Sequence, residues 1–121
     1  MTDRALRLAG TSWVLVSLGS IPVLPGTEIT ASFGTDRRIS GSAGCNRYVG
    51  AYEVSGPGLE VGPLATTRMF CGDPGVMEQE QRYLSALQNA ALAAVEGGQL
   101  LVTDAAGSWD LLFVTAAHQA G

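Results

Sequence analysis

Residues 27–54 read TEITASFGTDRRISGSAGCNRYVGAYEV, and this stretch decides the fold. Ile29, Ala31 and Phe33 alternate with Glu28, Thr30 and Ser32, the period of two that marks a strand with one buried and one wet face. Turn residues then break the chain, and two further runs at 37–42 and 46–54 are rich in Ile, Tyr and Val. The second of these puts Tyr48, Gly50 and Tyr52 on one side. A glycine among large side chains predicts close backbone approach or a bulge that bends the sheet.

Outward from this stretch the same rhythm continues, with strands expected at 11–18, 58–62, 98–103 and 108–115. The exception is DPGVMEQEQRYLSALQNAALA at 73–93. Here Asp73 is expected to cap a helix and Pro74 to take its first position. Met77, Leu84, Leu87 and Ala91 form the expected apolar stripe with Tyr83 at its edge, and the helix should lie across one sheet face. Glu78 and Glu80 read as a solvated first turn, two apart and pointing away from one another. Gly97-Gly98 ends the connection, and the last two strands form a hairpin through residues 104–107. No repeat or linker divides the chain, so residues 1–121 are expected to form one domain with a core over 8–116 and a frayed tail from Ala116.

Composition narrows the function. A chain of 121 residues that is 46% hydrophobic can build one core without metal. Net charge is -4, and the seven basic residues are scattered, with Arg37-Arg38 the one adjacent pair. That argues against a nucleic-acid partner and against electrostatic docking to anionic lipid. The run from Trp13 to Leu18 is far short of the roughly 20 residues that cross a bilayer, so no transmembrane segment is expected. No signal peptide is visible, which leaves a cytosolic home or an export signal already removed. Ser42-Ala-Gly-Cys45 mimics a lipoprotein cleavage box but has no apolar stretch before it.

A set of motifs carries a resemblance. Trp13 in the first strand, GSAGCNRY at 41–48, GAY at 50–52, TTRMFC at 66–71, MEQE at 77–80 and YLSAL at 83–87 occur in order, followed by paired LLV and LLF runs near the end. Together they resemble the META/HslJ family over most of the chain. The resemblance implies an α+β, mainly β fold: a curved antiparallel sheet or small partly open barrel of about six to eight strands with one helix packed against it. It also implies a bacterial envelope or stress-related protein, heat shock included, with no established catalytic activity. The lipid-attachment cysteine of lipoprotein members has no counterpart here, so localisation is either periplasmic, cell-envelope or secreted, or else cytoplasmic.

Cys45 and Cys71 are the two cysteines, and in a chain whose relatives are often exported an even count permits a disulfide. Closing that loop of about 27 residues would stabilise the fold by about 3 to 4 kcal/mol. Two inert buried thiols are the other reading. Nucleophilic chemistry lacks a base, since the one histidine, His118, lies three residues from the end and reads as a tail residue. No zinc spacing and no phosphate loop is present, so neither metal nor cofactor is expected. Asn46, Arg47, Tyr48 and Tyr52, together with Thr66, Arg68 and Met69, mark either a structural corner or the rim of a binding groove. Two functions remain: a non-enzymatic module that holds a protein or peptide partner, or a small carrier with a hydrophobic ligand or lipid between sheet and helix. Trp13, Phe33, Leu84, Leu87, Trp109 and Phe113 look sufficient to fill the core, which favours the first, and a monomer is expected.

Overall fold

The computed structural model describes residues 8–108 and 110–116. Ten strands and one helix follow in the order β1 (Thr11–Leu18), β2 (Ile21–Pro22), β3 (Thr30–Phe33), β4 (Arg38–Ser42), β5 (Arg47–Ser55), β6 (Gly58–Val61), β7 (Ala65–Thr66), α1 (Val76–Gln88), β8 (Leu92–Glu96), β9 (Gln99–Thr103) and β10 (Asp110–Thr115). Neighbours run β1-β3-β4-β5-β6-β8-β9-β10, all antiparallel, and β10 pairs back onto β1. The result is a closed eight-stranded barrel, within the expected mainly β fold of about six to eight strands with one helix; the β10–β1 pairing closes what was expected as a curved sheet or partly open barrel. β2 and β7 are short additions on β1 and β5.

Alternation places one side of each strand inside. Leu15, Ala31, Phe33, Ile39, Leu59, Leu100, Val102, Leu111 and Phe113 are all buried. The expected alternation of Ile29, Ala31 and Phe33 holds, with all three inside. At Gly50 a Cβ would stand 2.7 Å from Leu64 Cδ2 and 3.0 Å from the Pro63 carbonyl oxygen, so this glycine is the close approach that the sequence predicted. Residues 104–107 close the β9–β10 hairpin, also as expected.

The helix departs from its reading in three ways. It begins at Val76 behind Gly75, whose φ of 82° lies in the left-handed region, and no side chain caps it. Asp73 contributes its carbonyl oxygen to the Val76 amide instead, because a glycine can take the αL turn that reverses the chain here. The helix ends at Gln88, and Leu92–Glu96 form β8, which the alanine-rich run disguised as helix. Gly97-Gly98 accordingly turns a β8–β9 hairpin. Finally, the buried stripe is Val76, Gln79, Glu80, Tyr83 and Leu87 rather than one through Met77, Leu84 and Ala91.

Side chains of α1 bond to residues 24, 27, 45, 46 and 64, in the segments that precede β3 and β5 and follow β6. The helix therefore crosses that end of the barrel. Tyr83 points inward, its ring 5.7 Å from that of Tyr48 and 6.4 Å from that of Phe113. Trp109 and His118 lie outside the described residues, as does the tail from 117 onward.

Candidate functional site

Polar groups of five residues, Cys45, Asn46, Thr67, Met69 and Glu80, meet where the β4–β5 hairpin turns under the helix. Asn46 is buried, and its side chain satisfies every hydrogen-bonding position it has. Its Nδ2 donates to the Met69 carbonyl oxygen at 3.0 Å and to Glu80 Oε2 at 2.7 Å. Its Oδ1 accepts from Met69 N at 2.6 Å and from Thr67 Oγ1 at 2.8 Å. Glu80, 2% exposed, also accepts from the amides of Cys45 at 3.0 Å and Asn46 at 2.7 Å. Among the described residues no basic side chain pairs with it. Three donors replace the water it has lost, which is what a buried carboxylate requires.

The Cys45–Cys71 disulfide closes the same corner. It joins the hairpin turn to the segment after β7, which the Asn46 side chain already grips at Met69. Thr67 completes the join, since its Oγ1 accepts from Arg47 N at 3.1 Å and its amide donates to the Arg47 carbonyl oxygen.

A second polar chain runs inward. Tyr48 donates its hydroxyl proton to the Thr30 carbonyl oxygen at 2.6 Å, so the 2.7 Å contact between Tyr48 and Tyr83 must be a donation from Tyr83. Burial raises the pKa of both phenols, and for Tyr83 the neighbouring Tyr48 adds to the rise. Neutral donors are thereby fixed in the core, with no titration near neutral pH.

The outer surface of the barrel is divided. On β3, β4, β5 and β6 the outward residues include Thr30, Ser32, Arg38, Ser40, Glu53 and Glu60. On β8, β9, β10 and β1 they include Ala94, Leu101 and Leu112 in one cross-strand row, with Val114 opposite Val14 in the next. Leu101 is exposed, as are Leu92 and, in the β1 bulge, Val16. Surface strands ordinarily turn polar residues outward, so this apolar wall needs a reason of its own.

Comparison with known proteins places the chain. The model of the META domain matches residues 6–117. The chain belongs to the META domain family. The heat shock protein HslJ of Escherichia coli K12 is 35% identical to this META domain over 74 residues, which are 61% of the chain and 52% of that relative. The matched segment thus spans about half the length of that curated relative. A solution structure of a protein from Burkholderia xenovorans superimposes with a TM-score of 0.75 at 31% identity, covering 90% of this chain and 83% of that one. A DUF4847 family protein from Bacteroides vulgatus shares the fold alone, at 14% identity with a TM-score of 0.65 over 88% of this chain and 93% of that one.

Of the residues singled out in the sequence, the META domain brings Cys45, Asn46, Arg47, Arg68, Met69 and Cys71 to the corner. Thr66 pairs with Tyr48 in the β7 addition and points to solvent. Tyr52 belongs elsewhere: its hydroxyl donates to the Gly34 carbonyl oxygen and its ring meets Phe33 edge-on, four residues further along β5. Sequence reasoning missed Glu80, placing it in solvent. The signal was present, since Val76, Glu80, Tyr83 and Leu87 form an i, i+4, i+7, i+11 stripe. No helix among the described residues is long and apolar enough to cross a membrane.

Proposed function

We propose that this META domain is a non-enzymatic, stress-related protein of the bacterial envelope that holds a protein or peptide partner on the apolar wall formed by β8, β9, β10 and β1. The observation that carries this is the row of Ala94, Leu101 and Leu112 with Val14 and Val114 beside it. The likeness to a heat shock protein supports the stress role, and a disulfide is at home in an oxidising compartment.

Catalysis has little to work with at the corner, because the Glu80 oxygens and the Asn46 side chain are engaged within the protein and both cysteines are bonded. A carrier role is likewise the weaker reading. Tyr83, Phe33, Phe113, Leu87 and Leu59 are fully buried and fill the interior of the domain, whereas a cleft of about 550 Å³ lined by Leu18, Arg82, Ala86 and Leu111 opens to the outside.

A photo-crosslinking residue placed at Leu101 in living cells under heat stress tests the proposal. Discrete adducts from position 101, absent when the same residue replaces Ser40 on the polar wall, are expected. Equal labelling from both walls, or none, counts against it. Purified protein should turn over no ester, peptide, phosphate or glycoside substrate, and turnover lost on Cys45→Ala would return it to the enzymes.

A further inference from the structure

Phe70 is 82% exposed, whereas Trp13, Phe33, Tyr48, Tyr52, Tyr83 and Phe113 are each no more than 6% exposed. Its neighbour Met69 is 55% exposed. The backbone on both sides of Phe70 is tied. Asn46 holds the Met69 amide and carbonyl on one side, and the disulfide fixes Cys71 on the other. None of the described clefts is lined by either residue. The pair is therefore an exposed tip on a tied backbone.

Two cations flank it. The Arg47 amide and carbonyl oxygen both bond to Thr67, the residue before Arg68, so the two arginines stand one backbone position apart across the join; both side chains are exposed and, among the described residues, neither has a carboxylate partner. No acidic residue occurs from Val61 to Gly72, and the first beyond is the exposed Asp73. Scarce cations across the whole chain argue against anionic lipid, but Arg47 and Arg68 are distant in sequence, and the Arg47–Thr67 join brings their backbones to one corner.

We infer that the Met69-Phe70 tip with Arg47 and Arg68 docks the domain on an anionic phospholipid surface. An aromatic and a thioether side chain can enter the boundary between headgroups and acyl chains while guanidinium groups pair with phosphates above them. A bilayer suits an exposed tip because it deforms around it, whereas a protein partner must supply a matching pocket. With two cations and two apolar side chains the docking is weak, reversible and sensitive to salt. It leaves the apolar wall free and does not depend on the function proposed above.

The test uses the full chain with its disulfide intact and large vesicles of equal parts phosphatidylglycerol and phosphatidylcholine, or of phosphatidylcholine alone, in co-sedimentation. Binding to the anionic vesicles alone is expected, weakened about tenfold or more by Phe70→Ser, by Arg47→Gln with Arg68→Gln, or by raising salt to about 0.5 M. These positions are exposed, so thermal unfolding should match that of the unaltered protein. In a Phe70→Trp variant the new indole should shift its emission to the blue and be quenched by brominated acyl chains. No binding to anionic vesicles, or binding unaffected by Phe70→Ser, overturns the inference. So does loss of a protein cross-link on Phe70→Ser without any vesicle binding, which would make the tip a protein contact.

Discussion

The half of the barrel from β3 to β7 and the half formed by β8, β9, β10 and β1 are held by different means. In the first, directional polar contacts dominate: Asn46 with Glu80, Tyr48 with Tyr83 and Thr30, and the Cys45–Cys71 bond. Among the described residues, every side-chain hydrogen bond from α1 to another element reaches residues 24–64. The second half is packed inside by Leu15, Leu100, Val102, Leu111 and Phe113 and is largely apolar outside as well. Polar contacts specify one geometry, so the first half locates the helix. Apolar packing has no direction, which leaves the second half free to carry an apolar row on its outer surface.

The largest effect expected from breaking this division is at Asn46. Asn46→Ala strands Glu80 and the Met69 backbone and should cost about 3 to 4 kcal/mol in denaturant unfolding. Phe113→Leu, a packing change in the other half, should cost about 1 to 2 kcal/mol. A reversed ranking would mean that the polar half is not the tied one.

Alkali probes the division more gently. Burial, foremost, keeps Tyr48 and Tyr83 protonated in the folded state above their ordinary value, while in the unfolded chain they ionise near pH 10. Stability from this pair is therefore complete below about pH 10 and lost as pH rises beyond it, by up to about 2.7 kcal/mol per pH unit when both unfolded phenols are ionised. Denaturant titrations from about pH 9 to 12 read this slope together with a part from Tyr52, whose phenol pKa is also raised by burial, and Tyr83→Phe should remove up to about 1.4 kcal/mol per pH unit of it. The smallest effect is expected on the apolar wall, where Leu101→Lys should change stability by no more than about 0.5 kcal/mol. A much larger loss would show that the wall serves the core rather than a partner.

How much of this was legible in the sequence follows from which patterns are local. Period-two alternation at Ile29, Ala31 and Phe33 and the turn at 104–107 needed no partner to be read, and all seven expected strands are present. β8 was hidden because Leu92, Ala93 and Ala94 suit a helix on their own and become a strand by pairing with β9. Glu80 was hidden because a glutamate two residues from another near a helix start looks solvated until Asn46 arrives from 34 residues earlier. The disulfide stood as one of two readings, and proximity of the chain segments decides it. Phe70 gave no signal at all: nothing local tells an exposed phenylalanine from a buried one.

The pairing of β1 with β10 sets an order of events in time. Trp13 lies opposite Thr115 and Leu18 opposite Leu111, so the strand made first waits for the strand made last. During synthesis the ribosome must release almost the whole domain before the cylinder can shut, and until then β1 and β9 each offer a bare edge to any neighbouring chain. A domain wired in this way is born late and all at once, and its most vulnerable moment is the interval between its first strand and its last.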